Sequence, residues 1–264
     1  MSHRLQNIRV MVTRPIEQAV DLIAQINEAG GHASSFPTLA IKASVDATSA
    51  ERCKFVSGYD WVIFISQNAV RYSLSLLPLT DWPTTTSIAA VGPTTSNALQ
   101  QAGLNVNKQP DNSMTSEGLL EKFSTAQLTG KKILIVRGVG GRETLANGLR
   151  EMGAFVDYAE VYSRHCPDHD TEQLLQQLES GIDVVTIASG ETLQNFANII
   201  ESSKLTTQQK AQLYACPLII VSARIKTLAD KLGFLDTVVI SEPENSGVVK
   251  AIAKWLKTRA GEIK

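Results

Sequence analysis

Short apolar runs alternate with longer amphipathic stretches along most of this chain. Residues 9–13 read as a buried strand, and the spacing after them predicts a helix with Pro15 at its first position and its end at Gly30-Gly31. Residues 61–65 predict a second strand, followed by a helix through Ala69, Val70, Leu74 and Leu77. Residues 87–91 and 132–136 repeat the theme, with helices running toward Gly103 and Gly153. Residues 183–188 and 218–221 are further strands, and the helix after the second stops at Gly233. Fully apolar strands alternating with amphipathic helices predict α/β architecture, with parallel sheets covered on both faces.

The pattern is also duplicated. Arg9-Val-Met-Val-Thr-Arg14 aligns with Lys132-Ile-Leu-Ile-Val-Arg137 at an offset of 123, which also carries Gly30 onto Gly153, Asp60 onto Asp183 and Ser66 onto Ser189. The offset becomes 130 for Val91 and Val221 and for Gly103 and Gly233. It is 129 for Gly118-Leu-Leu and Gly247-Val-Val. The expected fold is two related doubly wound parallel-sheet domains. Extended segments at 37–42 and 160–165 are expected to cross between them. Residues 1–36 and 166–264 then form one domain and 43–159 the other, joined by a two-stranded hinge with a cleft between them.

Composition narrows the function. With 43% hydrophobic and 19% charged residues in 264, the chain is neither disordered nor a small disulfide-stapled module. A net charge of −1 argues against a dedicated nucleic-acid binder, which needs a concentrated basic face. The basic residues Lys250, Lys254, Lys257, Arg259 and Lys264 read as one solvated helix face. Cys53, Cys166 and Cys216 form no CxxC and suit a reducing compartment. No signal peptide or membrane-length apolar run is visible, so a cytoplasmic, non-membrane protein is expected.

Familiar catalytic motifs are missing. His165, Cys166 and His169 carry metal-ligating atoms but have no third or fourth partner at zinc-site spacing, so no metal is expected. Gly138-Val-Gly140-Gly141-Arg142-Glu143 has Glu143 where a dinucleotide loop needs its third glycine. No P-loop and no nucleophile elbow occurs. What remains is a set of polar loops, each where a strand ends and a helix begins. They are Thr13-Arg14-Pro15, Ser66-Gln67-Asn68, Gly92-Pro93-Thr94-Thr95, residues 112–116, Arg137-Gly138, Ser189-Gly190-Glu191, Ser222-Ala223-Arg224 and Asn245-Ser246-Gly247. Their Ser and Thr residues suit ordinary helix caps. Helix starts also favour anions, and two sets of them together would receive a polyanion without net positive charge.

Over nearly its full length the chain resembles the uroporphyrinogen-III synthase family. The resemblance rests on Val12-Thr-Arg-Pro15, on Asp60-Trp-Val-Ile-Phe-Ile-Ser66 with Asn68-Ala-Val70, and on Ala90-Val-Gly92 with Thr95 and Gly103. Ser116-Glu-Gly-Leu119, Arg137-Gly138 with Gly141-Arg142, and Val161-Tyr162 complete it. Ile65 departs from the family's usual Thr, and Ser222 stands where Gly92 leads one to expect glycine.

The resemblance implies cyclisation of hydroxymethylbilane, a linear tetrapyrrole with eight carboxylates, to uroporphyrinogen III. Water is lost and ring D is inverted through a spiro-pyrrolenine. It implies no cofactor, since reactive pyrroles need geometric control above all. It points to Tyr162 as the acid assisting hydroxyl departure. Arg14, Ser66, Asn68, Thr95, Arg137, Ser189 and Ser222 are implied as carboxylate-binding or lining residues. A monomer is expected, with transient contact to the preceding pathway enzyme. The rival reading is a non-catalytic, hinged small-anion binding or sensor module; the absence of a helix-turn-helix or other output segment weighs against it.

Overall fold

Strand β1 (Arg9–Val12) buries Val10, Met11 and Val12, and helix α1 (Ile16–Glu28) after it turns Ala19, Leu22 and Ile26 inward at helical spacing. The computed structural model to which these elements belong describes residues 5–111, 113–169, 171–242 and 244–262. Pro15 caps α1 rather than opening it, because its ψ of 141° is extended. The chain turns at Gly30, whose φ of +90° suits only glycine, and β2 (His32–Ser35) lies parallel to β1. The extended run expected from residue 37 becomes a strand only at β3 (Ala40–Ala43). Before it, the Phe36 and Thr38 N–H groups bond the Val12 and Thr13 carbonyls at 2.9 and 3.1 Å.

Next come α2 (Ala47–Lys54), β4 (Trp61–Phe64), α3 (Gln67–Ser73), β5 (Ser87–Ala90) and α4 (Pro93–Gln101). The helix expected through Leu77 stops at Ser73, ahead of Pro78 and Pro83, which cannot donate to a helix. Helices α5 (Ser116–Leu120) and α6 (Thr125–Leu128) lead to β6 (Lys132–Gly138), α7 (Thr144–Glu151) and β7 (Phe155–His165). The chain continues through α8 (Thr171–Ser180), β8 (Val184–Ile187), α9 (Gly190–Ser202), α10 (Thr207–Ala215) and β9 (Leu218–Ile220). It ends with α11 (Ala223–Leu232), β10 (Thr237–Val239) and α12 (Asn245–Glu262). Asn112, the first residue of the loop 112–116, and Lys264 lie outside the described residues.

Contacts divide the chain into one unit holding residues up to Ala40 and from His165 onward, and a second holding Ile41–Arg164. The first contains the parallel sheet β10-β9-β8-β1-β2, the second the sheet β3-β7-β6-β4-β5. The duplication maps β2 onto β7, β1 onto β6, β8 onto β4 and β9 onto β5, so the two sheets share one order over four strands, while β10 extends only the first and β3 only the second. The sequence order of the strands reverses between β1 and β8 in one unit and between β6 and β4 in the other. The carboxyl ends at such a switch point frame a ligand crevice.

Alternate residues of each strand feed opposite faces. Met11, Val185 and Ile187 pack on one side of the first sheet, and Val10, Val12 and Val184 on the other. Val62, Phe64 and Val136 divide from Ile63, Ile133 and Ile135 in the same way in the second. The amino edges repeat too. Asp183 accepts the Arg9 N–H and Asp60 the Lys132 N–H, both at 2.8 Å. The side chains of Arg9 and Lys131 pair with these carboxylates at 2.9 and 2.8 Å, and their hydrogen bonds chiefly hold both carboxyls below the usual range. His169 stacks on Phe36 with centroids 4.2 Å apart and bonds the Pro37 carbonyl at 2.6 Å, which gives it a packing role.

Candidate active site

In the second unit, β7, β6 and β4 lie side by side, and Tyr162 reaches from the first across the second to the third. Ser66 follows β4 by two residues and caps α3, its Oγ accepting the Ala69 N–H at 3.1 Å. The Tyr162 Oη lies 3.1 Å from the same Oγ, and either group can donate. Two strand spacings are about 9.6 Å, so the ring has to pass directly over β6. Gly138 permits this: a Cβ there would lie 2.6 Å from both Cε2 and Cζ of Tyr162. A register shift between Arg137 and Gly138 sets Gly138 opposite Tyr162. The Val139 N–H bonds the Tyr162 carbonyl at 2.8 Å, and Tyr72 stacks on the ring with centroids 5.9 Å apart. Tyr162 is only 5% exposed.

Arg137 lies beside this arrangement, 3% exposed, with its charge answered internally. Its Nη1 donates to Glu143 at 2.9 Å and its Nε lies 3.7 Å from a Glu160 oxygen. The guanidinium lies over Tyr158, 4.6 Å from the ring centroid, and its Nε also donates to the Gly138 carbonyl at 3.2 Å. Tyr158 donates to Glu143, and that bond together with Arg137 holds the Glu143 carboxyl below the ordinary range. Asn68 is half-buried in the first turn of α3, and Thr95 is buried in the first turn of α4.

In the first unit, Ser189 and Ser222 cap α9 and α11, accepting the Thr192 and Ile225 N–H groups at 3.1 and 3.4 Å. Arg14 follows β1, half-buried, with its Nη1 2.7 Å from the Asn245 Oδ1. Burial pushes its pKa below the ordinary value. Sequence reasoning named Asn245 only as part of a loop and missed Tyr72, Glu143 and Glu160 as partners. The duplication held one usable signal: at an offset of 123, Glu143 and Glu160 face Val20 and Pro37, so the two equivalent arginines could not share partners.

The family model described as uroporphyrinogen-III synthase HemD matches residues 20–254. The chain belongs to the uroporphyrinogen-III synthase family. The uroporphyrinogen-III synthase of Salmonella typhimurium is 31% identical over 250 residues, spanning 92% of this chain and 99% of its own. That of Escherichia coli is 29% identical over 247 residues, with the same two shares. A mutant uroporphyrinogen III synthase from the extreme thermophile Thermus thermophilus has the same fold, with a TM-score of 0.62 at 17% identity over 95% of this chain and 99% of that one. The uroporphyrinogen-III synthetase of Helicobacter pylori 26695 follows at 0.59 and 13%, over 96% and 99%. The family's enzymes serve tetrapyrrole biosynthesis, and the α/β architecture expected from the strand pattern is the family's fold.

Within this synthase-family chain, the motif residues Arg14, Ser66 and Arg137 all stand at carboxyl ends of strands flanking the two switch points. No helix among the described residues is long and apolar enough to cross a membrane.

Proposed function

We propose that this chain converts hydroxymethylbilane to uroporphyrinogen III. Departure of the terminal hydroxyl as water leaves an electrophilic azafulvene. The far pyrrole, ring D, attacks it through its substituted carbon to give a spiro-pyrrolenine. The original bond from that carbon to the bridge on the neighbouring ring then breaks, leaving a second azafulvene there. Ring D's free α-carbon attacks it and loses its proton, which closes the macrocycle with ring D inverted. Tyr162 donates the proton or hydrogen bond that assists the hydroxyl. The observation carrying this role is the Tyr162–Ser66 contact at a switch point, beneath the start of a helix. Unguided closure gives the uninverted isomer, so the protein's main contribution is to hold one geometry.

In this reading Arg14, Asn68, Thr95, Ser189 and Ser222 receive carboxylates or line the receptor, helped by N–H groups at helix starts. Arg137 braces Gly138 and so lines the receptor from behind. The boundaries read from the duplication belong to the proposal, with residues 37–42 and 160–165 as crossings. So do a cytoplasmic monomer and a transient contact with the enzyme that delivers the substrate. Supplying hydroxymethylbilane to purified protein and separating the oxidised isomers tests the activity. Isomer III is expected; isomer I alone would overturn it in favour of a binding module.

A further inference from the structure

We infer that Asn245 is a specificity-determining residue: it fixes the Arg14 guanidinium while leaving its charge for a carboxylate of the substrate. The inference rests on the reading of Arg14 as a carboxylate receptor, and the duplication supplies its internal control. Arg14 and Arg137 occupy equivalent places, one after β1 and one on β6. Arg137 is neutralised by Glu143 at 2.9 Å and Glu160 at 3.7 Å. At the corresponding positions the first unit has Val20 and Pro37, which carry no charge. Among the described residues Arg14 meets no carboxylate within ion-pair reach; its partner is the Asn245 amide oxygen at 2.7 Å.

The choice of amide matters because aspartate has nearly the same shape. An aspartate at 245 could accept from Arg14 in the same place, so packing alone does not call for asparagine. It would, however, complete the ion pair inside the protein and remove the reason for a ligand carboxylate to bind. Asn245 occupies one of five guanidinium N–H donors and leaves the others for a forked contact with a carboxylate. It is well suited to hold the arginine still, because it opens α12, whose Val248 and Ile252 are anchored in the core. Burial disfavours the Arg14 charge, which sharpens its demand for a counter-ion.

The test compares Asn245→Asp, Asn245→Ser, Arg14→Gln and the double variant Arg14→Gln/Asn245→Ser, measuring kcat and KM for isomer III formation together with thermal melts. Asn245→Asp should raise KM roughly ten- to hundredfold, the loss of one charge-assisted contact, with kcat near the parent value and no drop in melting temperature. Asn245→Ser keeps a neutral acceptor and should shift KM by less than about tenfold. In the Arg14→Gln background Asn245→Ser, which introduces no charge, should add nothing. A parental KM in folded Asn245→Asp overturns the inference, and so does a full additional loss in the double variant. If Arg14→Gln raises KM while Asn245→Asp does not, Asn245 loses its role and the receptor reading of Arg14 stands. If Arg14→Gln also leaves KM unchanged, both fall. Failure of the parent protein to make isomer III overturns the activity itself.

Discussion

Tyr162 touches Ser66 across an intervening strand, with 3.1 Å between their oxygens. The hydroxyl is therefore held at the end of β4 although its backbone belongs to β7, and the strand between them supplies a glycine where the ring crosses.

Removing the hydroxyl alone tests its role. Tyr162→Phe keeps the ring and its stack on Tyr72, so turnover should fall while product affinity stays near the parent value. Ser66→Ala removes a neutral hydrogen bond, expected to cost up to about tenfold in turnover, and also a helix cap worth about 0.5–2 kcal/mol of stability. Isomer assays with product titration and thermal melts separate the two effects.

Gly138→Ala places a methyl carbon where the Tyr162 ring lies, at 2.6 Å from two ring atoms. The ring has to move and the contact with Ser66 should open. Turnover should drop about as far as in Tyr162→Phe, and combining the two substitutions should cost no more than Tyr162→Phe alone. A further loss in the double variant would show that Gly138 acts on the substrate by another route.

Ser189→Asp separates binding from folding. Aspartate caps helices as well as serine does, so the melting temperature should hold. A new carboxylate beside a polyanion site in partly desolvated surroundings opposes the ligand by more than the loss of one hydrogen bond. KM should therefore rise more than in Ser189→Ala, by over about tenfold.

The equivalent aspartates predict a pH dependence of stability. Asp60 and Asp183 are both held below the usual carboxylate range, chiefly by hydrogen bonds from the Lys131 and Arg9 side chains. A folded-state pKa below the unfolded value, about 3.9, stabilises the fold above that value, and the stabilisation is lost as pH falls through the folded pKa. Asp60→Asn and Asp183→Asn should each melt earlier than the parent at about pH 7. The gap should narrow in acid and close once the parent carboxylates are protonated. Thermal melts between about pH 2 and pH 7 check this.

The sequence by itself determined the alternation of strands and helices, the caps at Ser66, Ser189 and Ser222, the duplication and the family. These signals are short-range or periodic: a helix face repeats every three or four residues, and a cap needs only its own first turn. The end of α3 and the start of β3 were less legible, because prolines and edge pairing decide them. Tertiary structure alone decided the partners. Tyr162 finds Ser66 at 96 positions' separation and Arg14 finds Asn245 at 231. Each contact exists because the strand order brings distant carboxyl ends together. The same order explains why two arginines that look alike in sequence differ in chemistry: Arg137 meets the protein's own acids, and Arg14 meets an amide.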